Sequence, residues 1–402
     1  MTDSPALASL RLKKNEDRRL KQGHLWIFSN EIDTEATPLK NFEAGQVVQV
    51  EESNGRAIGI AYVNPNTLIC ARVLSRNPKV KLNQTFIKNR LQAALQLREM
   101  NFSELCYRLV FGESDGLPGL VIDRFNDVFV VQITTQGMER VKHDILQVLE
   151  NLFHPQAIVV RNNSGSRELE GLPVAEDEVI GTLPEEIIIT ENGTQFAIPV
   201  KDGQKTGWFY DHRMARRRLQ DLVQGKRVLD VFSYLGGWGL AAGVAGAAEV
   251  TCVDASEFAL DGVDRNALLN GIAEKVITVQ GNAFDVLKAL KEEGHKYDVV
   301  IVDPPAFVKR KKDLKAGSEA YRRINEMAMR LIEKDGILVS ASCSHHMTRD
   351  GLINQVQQAA RHVDRHLQLF DQGHQGPDHP VHPSIPETEY IKTFFFKVSS
   401  SL

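Results

Sequence analysis

The sequence predicts an α/β protein whose C-terminal half is a doubly wound sheet, preceded by a small β-rich domain and a middle α+β domain. Strand-like and helix-like stretches alternate from about Gly225 onward, the pattern of parallel strands joined by crossover helices. Val299 to Val302 is an unbroken β-branched run, as expected of a strand covered on both faces. Leu7 to Leu74, by contrast, carries short strands in close succession, as a β module does. The expected boundaries are residues 7–78, 79–185 and 186–402.

In the first domain Gln46 to Val50 alternates, and Arg56 to Tyr62 and Leu68 to Leu74 read as further strands. Arg11 to Lys21 ahead of them is rich in Lys and Arg, with Glu16 and Asp17 interspersed, which suits a solvated helix face. The middle domain opens on a long helical stretch, Asn83 to Met100. It continues with two strands around the Gly112 to Gly119 loop, a strand at Val128 to Thr134, a helix at Val141 to Leu152 and a strand at Ala157 to Arg161. In the third domain Asn192-Gly193 between Ile187–Thr190 and Thr194–Pro199 signals a hairpin. Gly225 to Leu240 then reads as strand, glycine loop and helix, and further strands are expected at Glu249–Asp254, Val276–Gln280, Val299–Asp303, Gly336–Cys343, His366–Phe370 and Thr393–Val398.

Composition excludes several classes. The four cysteines, Cys70, Cys106, Cys252 and Cys343, show no CxxC spacing, which argues against a zinc site or disulfide framework and for a reducing, cytoplasmic compartment. Asp3 and the absence of an apolar run after it give no sign of a signal peptide or membrane span. A net charge of -4 does not announce a nucleic-acid binder, so local basic patches must decide whether a polyanion docks. His374, His379 and His382 fit no standard zinc spacing, and no metal is expected.

Chemistry is expected at the carboxyl ends of the strands, where ligands bind in open α/β sheets. The strand ending at Asp303 runs into Pro304-Pro305, which cannot donate backbone hydrogen bonds and fix φ, so the chain leaves the sheet as a stiff loop. Asp-Pro-Pro taken alone would serve equally as a turn and helix cap. Glycines at 236, 237 and 239 follow the strand that opens the Gly225 to Leu240 stretch but miss the G-x-G-x-x-G spacing, which demotes a nicotinamide cofactor. Asp254 ends the next strand, placed for a ribose diol or as a helix cap. Asn282-Ala283-Phe284 ends the third, offering an amide and an apolar wall to an adenine.

Glycine loop, ribose acid, adenine loop and Asp-Pro-Pro in that order resemble the class I S-adenosylmethionine-dependent methyltransferases, with their Rossmann-like sheet. The likeness narrows with Asp202-Gly-Gln-Lys-Thr-Gly-Trp-Phe-Tyr-Asp-His-Arg213, Phe232-Ser233, Asp303-Pro-Pro-Ala-Phe307, Ser342-Cys-Ser344 and Pro377 to Glu389. These stretches resemble the large-subunit ribosomal RNA cytosine-5 methyltransferases that carry an N-terminal PUA domain. Arg11 to Phe28 is similar to the start of that domain, and Gly112 to Arg124 and Arg161 to Gly171 to the domain after it. The resemblance implies S-adenosyl-L-methionine as donor and a cytosine of large-subunit ribosomal RNA as acceptor. It also implies that Lys205, Thr206, Asp211, Phe232, Ser233, Gly236, Asp254, Ala255, Asn282, Ala283, Phe284 and Asp303 form the cofactor site. Members of that family tend to pair, which makes a homodimer an expectation.

C5 of cytosine is a poor nucleophile, so a thiolate must first add to C6. Cys343 lies at a strand end beside Asp303 and is expected to be that thiolate, with Asp303 holding N3 and the ring amino group. An isolated cysteine at a strand end would more often be a small buried hydrophobe. Many RNA cytosine-5 methyltransferases carry a second cysteine after the Asp-x-Pro motif. Here that place is Ala306, so another base must take the C5 proton. An acid is also commoner where Asn282 stands, which implies weaker adenine contacts. Lys13, Lys14, Arg18, Arg19, Arg216, Arg217, Lys309, Arg310, Lys311 and Lys312 are expected to meet RNA phosphates. Two competing readings are a guanine-N methyltransferase, which would have no use for Cys343, and a non-catalytic RNA-binding assembly factor.

Overall fold

A computed structural model describes residues 6–200 and 207–400 of the chain. Two compact units emerge. Of the described residues the first holds 6–185 and 377–388, the second 186–200, 207–376 and 389–400.

The first unit contains two five-stranded sheets. One is built from Ala8–Arg11, Trp26–Phe28, Gln46–Glu51, Ala57–Val63 and Ile69–Ser75. Of the basic stretch before Trp26 only Arg18–Lys21 is helical, a single turn, because Ala8–Arg11 is drawn into the sheet as a strand beside Gln46–Glu51. The other sheet comprises Cys106–Phe111, Leu120–Phe125, Val128–Ile133, Ala157–Arg161 and Glu178–Gly181, covered by the helices Gln84–Glu99 and Lys142–Phe153. Asn83 starts the first of these helices by accepting from Phe86 N at 3.0 Å. Tyr62 ties the sheets together: its buried hydroxyl donates to Pro118 O at 2.9 Å, and a Cβ on Gly137 would lie 2.1 Å from its ring.

The second unit opens on the hairpin Ile187–Glu191 and Thr194–Ile198, turned by Asn192 and Gly193, both at positive φ. A seven-stranded sheet follows, with strands β1 (Arg227–Val231), β2 (Glu249–Asp254), β3 (Val276–Gln280), β4 (Tyr297–Val302), β5 (Ile332–Ser342), β6 (Arg365–Gly373) and β7 (Lys392–Ser400). Their order is β3-β2-β1-β4-β5-β7-β6. The first five run parallel, whereas β7 is antiparallel to both neighbours. The order reverses between β1 and β4, so the loops leaving these two strands diverge and open a crevice at their carboxyl ends. Val299 to Val302 of β4 are fully buried. Each such side chain contributes about 1.5 to 3 kcal/mol of hydrophobic stabilisation, which holds that strand end rigidly. Among the described residues no helix is long and apolar enough to cross a membrane.

Candidate active site

The loop after β1 departs from ordinary backbone. Phe232 (φ 68°), Tyr234 (φ 48°) and Gly236 (φ 82°) all sit in the left-handed region, a strained conformation for the two aromatic residues. Two acids hold it there. Asp254 at the end of β2 accepts from Tyr234 N and Ser256 N, both at 2.9 Å, while Ser256 rather than Asp254 caps the following helix. Asp230 of β1, fully buried, accepts from Gly239 N at 2.8 Å. Burial, the larger influence, and the nearby Asp303 and Asp254 push its carboxyl up to about 7. Gly239 must be glycine, because a Cβ would approach Cys252 Sγ to 2.7 Å.

Around this loop Phe232, Phe284, Phe307 and Tyr321 form an aromatic wall, with Phe307 5.0 Å from Tyr321 and 6.3 and 6.5 Å from Phe232 and Phe284 between ring centroids. Ala255 and Asn282 are exposed beside it and Ala283 is buried. Asn282 caps the helix Ala283–Glu292, its side-chain oxygen accepting from Phe284 N at 3.0 Å. That bond uses one of the two lone pairs of the amide oxygen and leaves the other for a ligand. Ser233 and Gly236 are buried within the loop. Asp211, also buried, turns one carboxylate oxygen to the Tyr390 hydroxyl at 2.8 Å. Lys205 and Thr206 lie outside the described residues.

Asp303 follows β4 directly and is not a helix cap, since the next helical turn begins at Lys311 after Arg310. Its carboxylate, with 19% of the side chain exposed, accepts from Trp238 Nε1 at 3.0 Å on one oxygen. The other lies 3.3 Å from Nε2 of the buried His212. Burial alone would raise the Asp303 pKa, yet the His212 charge and hydrogen bond and the Trp238 bond outweigh it and lower it. Burial likewise opposes a charged His212, but Asp303 and Asp211 raise its pKa. Each partner thus favours the charged form of the other, and His212 Nδ1 lies 3.2 Å from Thr393 Oγ1.

Cys343 lies just beyond β5, partly exposed, whereas Cys70, Cys106 and Cys252 are buried. The flanking serines explain its placement. Both turn inward to the buried Tyr321 hydroxyl, Ser342 Oγ at 2.8 Å and Ser344 Oγ at 2.9 Å, and the intervening side chain is left facing outward. Val308 N, from the segment leaving Pro304-Pro305, donates to Ser344 Oγ at 3.2 Å and ties the two strand ends together.

The basic residues divide. Lys13, Lys14, Arg18, Lys309, Arg310, Lys311 and Lys312 are exposed, Arg310 pairing with Asp313 at 3.2 Å. Arg217 is exposed and pairs with Asp221, and Arg19 is partly covered by a pair with Glu31. Arg216 corrects the expectation: only 3% exposed, it makes a two-pronged pair with buried Glu191 at 2.6 and 2.9 Å and stacks on Trp208. It is a structural cation and cannot meet a phosphate. His379, for its part, is buried against Asp378 and the Phe111 ring.

Sequence reasoning missed His212, Trp238 and Tyr321. His212 and Trp238 lie inside stretches already singled out, but nothing local says that their side chains reach Asp303.

The chain is similar to known proteins along nearly its whole length. Residues 10–76 match the PUA-like domain and residues 173–388, over half of the chain, match the S-adenosylmethionine-dependent methyltransferase family. "Ribosomal RNA large subunit methyltransferase I" of Klebsiella pneumoniae strain 342 is 36% identical over 404 residues, covering 99% of this chain and all of that protein. The protein of that name from Escherichia coli strain SMS-3-5 is 33% identical, covering 96% and 98%. SMU.776, solved in complex with SAH, superposes with a TM-score of 0.83 at 22% identity, over 97% of this chain and all of that one. A Streptococcus mutans structure superposes with a TM-score of 0.81 over the same shares. The cofactor is S-adenosylmethionine, and the residues present suit it in kind: a carboxylate at the end of β2 for a diol, an aromatic wall for an adenine and a kinked loop between them. With the PUA-like domain ahead of this sheet, the chain belongs to the S-adenosylmethionine-dependent methyltransferases of the ribosomal RNA large subunit methyltransferase I family.

Proposed function

We propose that this protein methylates C5 of a cytosine in large-subunit ribosomal RNA, with Cys343 as the covalent nucleophile. One observation carries the reading: inward-pinned serines present a partly exposed thiol at the end of β5, beside the strand that ends at Asp303. A guanine-N methyltransferase would need a base-holding carboxylate but no thiol there. The relatives' shared name supports large-subunit ribosomal RNA as the substrate.

When bound, S-adenosylmethionine supplies an electrophilic methyl group, and Asp254, Phe232, Phe284 and Asn282 are the residues that would hold it. Cys343 attacks C6, which moves electron density to C5. Asp303 accepts from the ring amino group and, with His212, holds the proton that N3 takes as sulfur adds. Trp238 keeps the carboxylate oriented throughout. Exposed Lys309 to Lys312, leaving the Pro304-Pro305 loop, would meet phosphates flanking the extruded base.

The test is Cys343→Ala with large-subunit ribosomal RNA transcribed to contain 5-fluorocytosine. Wild-type protein should be trapped as a covalent adduct, because fluorine cannot leave C5 as a proton does. Cys343→Ala should form none, make no 5-methylcytosine and bind S-adenosylmethionine with unchanged affinity by calorimetry. Methylated guanine as the product, or 5-methylcytosine from Cys343→Ala, would refute the proposal.

A further inference from the structure

Adding sulfur to C6 creates a second problem: C5 ends up bearing both a methyl group and its original hydrogen, and the enzyme stays bound until a base removes the latter. Ala306 cannot do so. Asp303 is committed to the opposite edge of the ring and to Trp238 and His212. Tyr321 is unsuited as well, because its hydroxyl is shared by Ser342 and Ser344 and burial raises its pKa.

Lys392 is differently placed. As the first residue of β7 it lies directly opposite Ser342 in the antiparallel pairing with β5. Its Nζ donates to Ser344 O at 2.8 Å, so the amine is anchored to one neighbour of Cys343 while its backbone faces the other. The side chain is half-buried. We propose that Lys392 is the base that takes the C5 proton and frees Cys343 from the methylated ring, an inference that rests on Cys343 being the nucleophile.

The charges facing this amine change during the reaction in the direction that role requires. Burial lowers the Lys392 pKa most, while Cys343 at the end of β5 and Glu389 before β7 raise it. The Cys343 thiolate beside it favours the ammonium, which stabilises the nucleophile. Once sulfur is bonded to carbon that negative charge is gone, burial favours the neutral amine, and the proton leaves to solvent. The resulting neutral amine takes hydrogen from C5 as a proton. The C5–H electrons re-form the C5–C6 double bond, and the sulfur–C6 bond breaks with its pair returning to Cys343 as thiolate. N3 gives its proton back to the Asp303–His212 pair.

Two variants test this on the full-length protein, with ribosomal RNA isolated from cells lacking it as substrate. Lys392→Arg keeps a positive charge that cannot act as a base at neutral pH, and Lys392→Met removes the charge while keeping an unbranched stem. Both should accumulate a denaturation-resistant protein–RNA adduct with ordinary cytosine, carrying the transferred methyl group, and both should release product at least about 100-fold more slowly. Adduct formation should be near wild type in Lys392→Arg and slower in Lys392→Met, whose Cys343 should also be alkylated by iodoacetamide at higher pH. Release at the wild-type rate from Lys392→Arg, with 5-fluorocytosine RNA still trapping that variant, overturns the role of the lysine alone. Failure of wild-type protein to be trapped by 5-fluorocytosine RNA removes the cysteine reading, and the lysine proposal with it.

Discussion

His212 and Asp303 share a contact that favours the charged form of each, and in the proposed acceptor site the proton they hold would set a pH limit on activity. His212 is raised by Asp303 against the cost of burial, so the pair keeps its proton above the usual histidine range and loses it as pH rises through the raised value. The alkaline limb of kcat/KM for methyl transfer should therefore belong to this pair. In His212→Gln the carboxylate has no cationic partner, and the limb should move down by about one pH unit or more, with activity at pH 8 reduced roughly tenfold. A limb that does not move in this variant would assign the titration to another group. Charge counting along the sequence could not find this pair, just as it misread Arg216, whose partner Glu191 lies in an earlier hairpin.

The loop after β1 shows the same physics in an element. Asp230 anchors the loop through Gly239 N but is buried close to Asp254 and Asp303, which makes its ionisation costly. Its folded pKa near 7 exceeds the unfolded value near 3.8, so the folded state binds the extra proton between them. This contribution to stability is fully present below about pH 4 and is lost as pH rises through 7. Asp230→Asn, which keeps an oxygen for Gly239 N, should remove roughly 2 to 4 kcal/mol of that pH dependence in urea unfolding measured at pH 5 and pH 8. Equal slopes in the two proteins would exonerate Asp230. The strands around this loop were legible because their β-branched runs need no partner to be recognised, and Asp254 and Asp303 because they end such runs. The cap formed by Asn282 and the loop's positive φ values were not, since both depend on where the backbone turns.

Across the whole molecule, two stretches rich in exposed cations remain once Arg216 is set aside, Lys13 to Arg18 and Lys309 to Lys312. Replacing Lys311 and Lys312 by glutamine should weaken RNA binding uniformly across sequences and lower the slope of log affinity against log salt by about 0.7 for each phosphate no longer neutralised. S-adenosylmethionine affinity should stay the same, and an unchanged salt slope would make these lysines ordinary surface. The alternation of strands and helices predicted the doubly wound sheet without revealing its far edge, where pairing is non-local. There β7 enters between β5 and β6, although it follows both in the chain. During synthesis β6 therefore leaves the ribosome before the strand it must pair with exists, and β5, with the cysteine at its end, waits as an open edge. Lys392 arrives on the strand that closes that edge, so a nascent chain has the proposed nucleophile before the sheet can carry the group proposed to reset it.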